Sequence, residues 1–166
     1  MRGEKKKALW GFLFLLGFSV LLLPTHVWAQ ELELPKSLAN LPSVFTVTGE
    51  QAKARVRRLH GKEIPMAEAA MAHFAREDEA AFLWVSEAPS LEIAADQMKR
   101  MVKKIARGHP TFRQYSSRVI GGRKVHLVYG QGQAHFFFRT GKRNVWVSVP
   151  VHRREGALKE MLEFYK

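Results

Sequence analysis

The fold is decided by residues 111–151, which read TFRQYSSRVIGGRKVHLVYGQGQAHFFFRTGKRNVWVSVPV. Apolar side chains recur at the spacing of β-strands, and glycine-containing segments interrupt them at even intervals. Gly121-Gly122 is typical of a two-residue hairpin turn, and residues 131–133 and 141–143 supply two further turns. The stretch therefore predicts four consecutive antiparallel strands, at 112–120, 123–130, 134–140 and 144–151.

Pairing the strands about these turns predicts which side chains share a face of the sheet. Across residues 131–133, Tyr129 is expected opposite His135, and across residues 141–143, Phe138 is expected opposite Trp146. One face would then carry Val125, Leu127, Tyr129, Phe137, Val145, Val147 and Val149, and the other would carry His126, Val128, Phe136, Phe138 and Trp146. Both faces are largely apolar, so each needs a covering layer.

Helical patterns lie on both sides of this stretch. An apolar stripe with helical spacing runs between Ser90, which is a start signal, and Gly108, which is a stop signal. The segment Thr48-Gly49-Glu50-Gln51 has the spacing of a capping box, and Gly61 is a natural helix end. We therefore predict helices at 49–60, 90–107 and 153–165.

The segment 65–76 fits two structures. Pro65 followed by alanines favours a helix by propensity, whereas the alternation along 67–71 favours a strand. Residues 80–87 contain an unbroken run of apolar side chains, which is typical of a central strand buried on both faces. Because such a strand needs a neighbour, we favour a hairpin of 65–76 with 80–87. Residues 30–43 hold two prolines and are expected to form a strap or linker.

Together these elements predict an α+β domain with an antiparallel sheet of about five to six strands sandwiched by helices. The order is α-β-β-α-β-β-β-β-α, with helices 90–107 and 153–165 on one face and helix 49–60 on the other. This order resembles the α/β/α sandwich of the Mog1/PsbP type. The resemblance in element order implies a fold and carries no function with it. We expect one globular domain at 44–166.

Composition narrows the classes of function. The chain has 166 residues, of which 46% are hydrophobic and 25% charged, and this excludes a disordered or low-complexity chain. It contains no cysteine, so disulfides, thiolate metal ligands and thiol nucleophiles are excluded. Lysine and arginine total 27 against 15 aspartate and glutamate residues, which gives a net charge of +12 and favours an anionic partner.

The first 29 residues have the pattern of a secretory signal peptide. Basic residues precede the apolar run Ala8–Leu23, Pro24 ends that run, and Val27-Trp28-Ala29 places small or tolerated side chains at the cleavage position. Cleavage is expected between Ala29 and Gln30, which leaves 137 residues with a net charge of +9 and no stable membrane span. An uncleaved signal anchor is the alternative, although a run of 16 residues is short for crossing a bilayer. Export to the periplasm or to the cell exterior is therefore expected. Because a small extracellular domain of a eukaryote often carries disulfides, the lack of cysteine favours a bacterial cell over a eukaryotic secretory path.

The sequence predicts no catalytic, cofactor-binding or metal-binding set. The six histidines beyond residue 29 lack the spacing of a zinc site, and His126 and His135 are expected on opposite faces of the sheet. The serines lack a GxSxG or SxxK pattern, and the glycines lack the spacing of a nucleotide-binding loop. We therefore expect no cofactor.

Basic side chains form the clearest candidate site. One group lies along the predicted helix 90–107, and a second lies near the hairpin ends; both could attract an anionic partner. The candidate anion-binding residues are Lys99, Arg100, Lys103, Lys104 and Arg107. The second group consists of Arg118, Arg123, Lys124, Arg139, Lys142 and Arg143. The alternative interpretation is an ordinary solvated surface.

Aromatic side chains form the other candidate. If the helix at 49–60 covers its face of the sheet incompletely, an apolar pocket would be lined by Tyr115, His126, Phe136, Phe138 and Trp146. Core packing is the alternative.

We favour an exported, non-catalytic binding or accessory protein that binds an anionic envelope component or a protein partner through its basic surface. Export makes nucleic acid an unfavourable partner. The alternative is a small exported hydrolase or transferase with a site around His126, in which His126 acts together with Tyr115 or a nearby arginine.

Overall fold

Eight antiparallel strands form one sheet in the computed structural model, which describes residues 32–61 and 63–166. The strands are β1 (Ser37–Leu38), β2 (Leu41–Thr48), β3 (Glu68–Arg76), β4 (Glu79–Glu87), β5 (Arg113–Ile120), β6 (Arg123–Gly130), β7 (Gln133–Thr140) and β8 (Arg143–Pro150). The helices of the described residues are α1 (Gly49–His60), α2 (Leu91–Ala106) and α3 (Arg154–Phe164), and a 3-10 turn, Val151–Arg153, precedes α3. Across the sheet the order is β1-β2-β3-β4-β8-β7-β6-β5.

The α+β class and the antiparallel sheet are confirmed. β3 pairs with β4 along its full length, so the hairpin interpretation of 65–76 is confirmed as well. The four strands that follow α2 begin and end within one residue of their predicted bounds. Ser90 also acts as predicted, because its hydroxyl accepts a hydrogen bond from the amide of Ile93 at 3.2 Å at the start of α2.

The predicted strand count is too low, because β1 and β2 occupy residues that were assigned in part to the strap at 30–43. Pro42 lies within β2, where the outer neighbour is the two-residue β1. A register shift between Ser43 and Phe45 interrupts the pairing of β2 with β3. Proline is tolerated near such irregular sheet edges. The observed order therefore starts with two strands before α1 and differs from the Mog1/PsbP-like order.

The predicted position of the start of α1 is confirmed, but the predicted capping box is not formed. Thr48 is the N-cap residue, but its side chain makes no capping hydrogen bond. Its backbone is still extended and pairs with Ala70 as the last residue of β2, so strand pairing fixes the position of the helix start. Gly61 ends the helix as predicted, with a φ of 64°.

The helical layers differ from the predicted arrangement. The cluster beneath α1 contains Met71 and Trp84, and the cluster beneath α2 contains Phe137 and Trp146. The two tryptophans pair directly with each other across β4 and β8, so both clusters lie on the same side of the sheet. α1 and α2 therefore share one face, the α1/α2 face. α3 and the strap that starts at Leu32 cover the opposite, α3 face. Amphipathicity requires that a helix cover the sheet but does not specify which face, so the prediction that α2 and α3 share a face is wrong.

The predicted register about β7 is wrong by one residue. The turn before β7 consists of Gln131 and Gly132, whose φ angles are both positive, at 53° and 75°, as in a type I′ turn. Gly130 and Gln133 consequently pair with each other, and the turn has two residues instead of three. In a strand a one-residue slip exchanges the two faces.

The exchange of the two faces of β7 determines which phenylalanine side chain contacts the histidines. His126 lies opposite Phe137 instead of Phe138. The turn at Gly141 and Lys142 also has two residues instead of the predicted three, so Phe137 and not Phe138 lies opposite Trp146. Phe137 is therefore on the α1/α2 face. Phe136 and Phe138 are on the α3 face, where both are fully buried.

Candidate functional site

The exposed side of α2 carries the basic residues predicted from the sequence. All five are exposed: Lys99, Arg100, Lys103, Lys104 and Arg107. The opposite side of the helix packs on the sheet through Met98 and Ile105. Among the described residues, Arg100 is the one member of the five with a carboxylate partner, Asp96 at 2.6 Å. The other four cations have no carboxylate partner within 4 Å in the described part of the chain.

The second basic group differs, because most of its members are bound within the protein. Arg118 pairs with Glu155 at 2.9 Å. Lys142 and Arg143 both pair with Glu87, at 3.3 and 3.0 Å. Two further members donate hydrogen bonds to backbone carbonyls. The unpaired positive charge therefore belongs to α2 more than to the hairpin ends.

Charge also differs between the two helical layers. α1 carries four basic residues and one acidic residue. α2 together with Arg107 carries five basic and two acidic residues, whereas α3 carries two basic and three acidic residues. The helices of the α1/α2 face are thus clearly positive and the helix of the α3 face is nearly neutral. An anionic surface would be attracted to the α1/α2 face.

Tyr115 and His126 form the polar part of an aromatic cluster on the α1/α2 face. The Tyr115 hydroxyl lies 2.8 Å from Nδ1 of His126. The imidazole stacks on Phe137 at a centroid distance of 5.0 Å, and Phe137 stacks on Trp146 at 4.7 Å. Burial and the nearby charge of Lys124 lower the pKa of His126. The lowered pKa favours the neutral imidazole, which accepts a hydrogen bond from the Tyr115 hydroxyl at Nδ1 when its proton is on Nε2.

The structure assembles the predicted aromatic pocket only in part. It brings together Tyr115, His126 and Trp146 and places Phe136 and Phe138 in the core of the α3 face. Phe137, which lies between these two residues on β7, completes the cluster instead. His126 is 4% exposed, so the cluster is packed core and does not form an open pocket.

A second buried histidine, His135, lies on the same face as His126, contrary to the prediction. Its Nε2 donates to the carbonyl of Gly130 at 3.0 Å, so Nδ1 can accept the hydroxyl hydrogen of Ser148, whose oxygen is 3.0 Å away. A serine bound to an oriented histidine has the hydrogen-bonding order of an activated nucleophile. His135 and Ser148 are 3% and 7% exposed, so the pair satisfies buried polar groups without presenting a nucleophile to solvent.

The free energy of unfolding is expected to fall as the pH decreases below about 6.5. Burial lowers the pKa of both His126 and His135 from 6.5. During acidification the unfolded chain therefore takes up protons before the folded protein does. The stability that these lowered pKa values contribute is present above pH 6.5 and is lost as the pH falls towards the folded-state pKa values.

Urea unfolding at a series of pH values measures this dependence. Replacing both His126 and His135 with glutamine should flatten the profile below about pH 6.5. Replacing Phe45, which is 48% exposed and does not titrate, with alanine is the control and should leave the slope unchanged. A double variant that kept the slope of the original protein would assign the pH dependence to other groups.

Sequence analysis missed the ion pair that anchors the start of α3. Both carboxylate oxygens of Glu79 accept hydrogen bonds from Nε of Arg153, at 3.1 and 3.0 Å, and Nε2 of His152 lies 2.8 Å from the same carboxylate. Arg153 also donates to the carbonyl of Ala39 at 2.8 Å. Glu79 and Arg153 are 74 positions apart, so no local pattern indicates the pair.

Residues 32–61 and 63–166 contain no group of three or more histidine, aspartate or glutamate side chains that could hold a metal ion. In the same residues, no helix has the length and apolar content needed to cross a membrane. The predicted signal peptide and the cleavage site at Ala29 and Gln30 lie outside the described residues. Comparison with models of protein families found no match, and searches of curated proteins and of solved structures found none either.

Proposed function

We propose that the protein is an exported, non-catalytic binding domain that uses the exposed side of α2 to bind an anionic component of the cell envelope. The observation that carries this proposal is the set of four α2 cations without a carboxylate partner in the described part of the chain. They lie on the face that α1 also makes positive, so the attraction of both helices adds. The basic residues at the hairpin ends mostly have partners, so α2 differs from the rest of the basic surface.

The spacing on α2 supports contact with a repeating array of negative groups. Lys99, Lys103 and Arg107 follow one another at four-residue steps along one side of the helix, about 6 Å apart along its axis. A single exposed ion pair contributes about 0–1 kcal/mol. Useful affinity therefore requires several such contacts at once, and it should weaken as salt concentration rises.

Export to a bacterial periplasm or to the cell exterior is part of the proposal. It is supported by the basic start, the apolar run and the Val27-Trp28-Ala29 segment, which fits a cleavage site. The intact mass of the protein isolated from its cells tests this step. A mass that lacks residues 1–29 agrees with cleavage, whereas the full mass would favour the signal anchor.

The alternative, a small exported hydrolase or transferase, receives less support from the geometry. Its central residue, His126, is packed between aromatic side chains. The serine–histidine pair of Ser148 and His135 is also buried. A substrate would have to displace the aromatic side chains packed on each histidine, which are Tyr115 and Phe137 for His126 and Phe112 and Trp146 for His135. This favours the binding hypothesis.

Charge reversal on α2 is expected to weaken binding of the full chain to dextran sulfate, a soluble polyanion, by about ten- to a hundredfold. The variant replaces Lys99, Lys103 and Lys104 with glutamate. It should also flatten the dependence of affinity on salt concentration, because fewer ions are released on binding. Fluorescence anisotropy with labelled dextran sulfate over a range of salt concentrations measures both effects.

The matched control has the same change in net charge at exposed lysines away from α2. It replaces Lys36 in the strap, Lys159 in α3 and Lys166 at the C-terminus with glutamate. The control should lose much less affinity than the α2 variant. Equal losses in the two variants would mean that net charge governs binding, and the proposal for α2 would be wrong.

A further inference from the structure

A cavity of about 230 Å³ lies on the α3 face, between the edge strand β5 and the start of α3. Its apolar floor is formed by Leu127, which is partly exposed, over the buried side chains of Val125, Phe136 and Leu158. An engineered apolar cavity of about 150 Å³ in another protein binds benzene. The volume and lining found here therefore suit a ring or a short acyl chain.

Two guanidinium groups at the rim of this cavity share one carboxylate. Nη2 of Arg118 lies 2.9 Å from Oε2 of Glu155, and Nη2 of Arg154 lies 2.7 Å from Oε1 of the same side chain. Arg154 also donates a hydrogen bond to the hydroxyl of Tyr129. Among the charged residues that line the cavity, one positive charge is in excess.

Glu155 is the member of this arrangement that a ligand could replace. It lies in the first turn of α3 with 59% of its side chain exposed, so it can turn into water without leaving a buried charge. Exposed ion pairs of this kind contribute about 0–1 kcal/mol. A ligand carboxylate would take over the same charge-assisted hydrogen bonds. Its apolar part would add contact with the floor, which the glutamate side chain does not provide.

We propose that this cavity binds a small amphipathic carboxylate. The apolar part of the ligand packs on the floor, and its carboxylate replaces that of Glu155 between Arg118 and Arg154. The site lies on the face opposite α2, so it is separate from the anion-binding surface proposed above. The two guanidinium groups select for a negative head group, and the volume limits the length of the apolar part.

Isothermal titration calorimetry of the full chain with three compounds tests the head group and the apolar part separately. Hexanoate has both parts, hexanol has the same apolar chain without the charge, and acetate has the charge with almost no apolar part. Hexanoate should bind about tenfold or more tightly than either of the others, which corresponds to about 1.4 kcal/mol.

Two variants test the location of the site, and two variants on the same strand serve as controls. Arg118→Gln removes a guanidinium group, and Ser116→Trp places a large ring at the mouth of the cavity from an exposed position on the edge strand. Each should weaken hexanoate binding by about tenfold or more. Arg113→Gln and Val119→Trp change exposed residues that do not line the cavity, so affinity should be unchanged.

Equal affinity for hexanoate and hexanol would overturn the proposal, as would hexanoate binding that survives both Arg118→Gln and Ser116→Trp. The charge-reversal variant of α2 should bind hexanoate like the original protein. Conversely, Arg118→Gln should leave dextran sulfate binding nearly unchanged. Failure of one proposal is therefore distinguishable from failure of the other.

Discussion

Replacing Phe137 with alanine should lower the free energy of unfolding by about 3–5 kcal/mol. Phe137 is fully buried in the α1/α2 face. Its ring stacks on Trp146 with an angle of 8° between the ring planes, and on His126 at a centroid distance of 5.0 Å. It also belongs to the cluster that holds α2 on the sheet. Truncation therefore leaves a cavity beneath α2 and removes packing from β6, β7 and β8 together.

The matched variant is Phe45→Ala, because Phe45 is 48% exposed on β2. The same truncation there should cost about 1 kcal/mol or less, part of it from the contact of the ring with the Arg55 guanidinium. Urea unfolding followed by circular dichroism measures both variants. Hydrogen exchange of the α2 amides adds a local measurement, since Phe137→Ala should accelerate it. A loss for Phe137→Ala no larger than that for Phe45→Ala would contradict this account of the packing.

Those parts of the fold whose signals are local could be predicted from the sequence. The helix α2 is the clearest case, because its apolar stripe and the cap at Ser90 lie within one segment. The turn at Gly121 and Gly122 is another, since both residues have positive φ angles that glycine adopts without strain. In these segments the local preference of the chain agrees with the final fold.

The local sequence does not determine which side chains of β7 lie on which face of the sheet. Residues 131–133 read Gln-Gly-Gln, which fits a two-residue or a three-residue turn, and the choice between them exchanges Phe137 with its neighbours on the strand. The pair of His135 and Ser148 was missed for a similar reason at the next turn. Thr140 pairs with Arg143, so the turn at Gly141 and Lys142 has two residues instead of the predicted three, and this places His135 opposite Ser148.

The basic surface also has one property that the sequence predicts and one that it does not. The row on α2 follows from helical periodicity alone and is visible in the sequence. Whether a basic residue is paired depends on distant parts of the chain, as with Arg118 and Glu155, which are 37 positions apart. The structure therefore separates two groups that look alike in the sequence. At the hairpin ends most of the cations are bound within the protein, whereas four of the five cations on α2 have no carboxylate partner among the described residues.

Replacing Gly130 with alanine should destabilise the protein by about 3 kcal/mol or more, although its φ lies outside the left-handed region. A Cβ atom at this position would lie 2.4 Å from the backbone oxygen of Thr111 and 2.9 Å from Cδ1 of Phe112. The phenylalanine ring can turn, but the backbone oxygen moves only with the segment that leads into β5. Because the Gly130 carbonyl accepts the hydrogen bond of His135, this displacement would also disturb the buried polar pair.

Gly132→Ala is the informative comparison, because Gly132 lies in the adjacent turn with a φ of 75° and no other group within 4 Å of an added Cβ atom. Alanine there meets a backbone strain of about 1–2 kcal/mol without a clash. A double-mutant cycle of Gly130→Ala with Phe112→Ala, measured by urea unfolding, should give a coupling energy below about 1 kcal/mol, since the closer contact is with backbone. If Gly130→Ala were no more destabilising than Gly132→Ala, the close approach of residues 111–112 would not be what requires glycine at position 130. If loss of the Phe112 ring restored stability, the side chain and not the backbone would set that requirement.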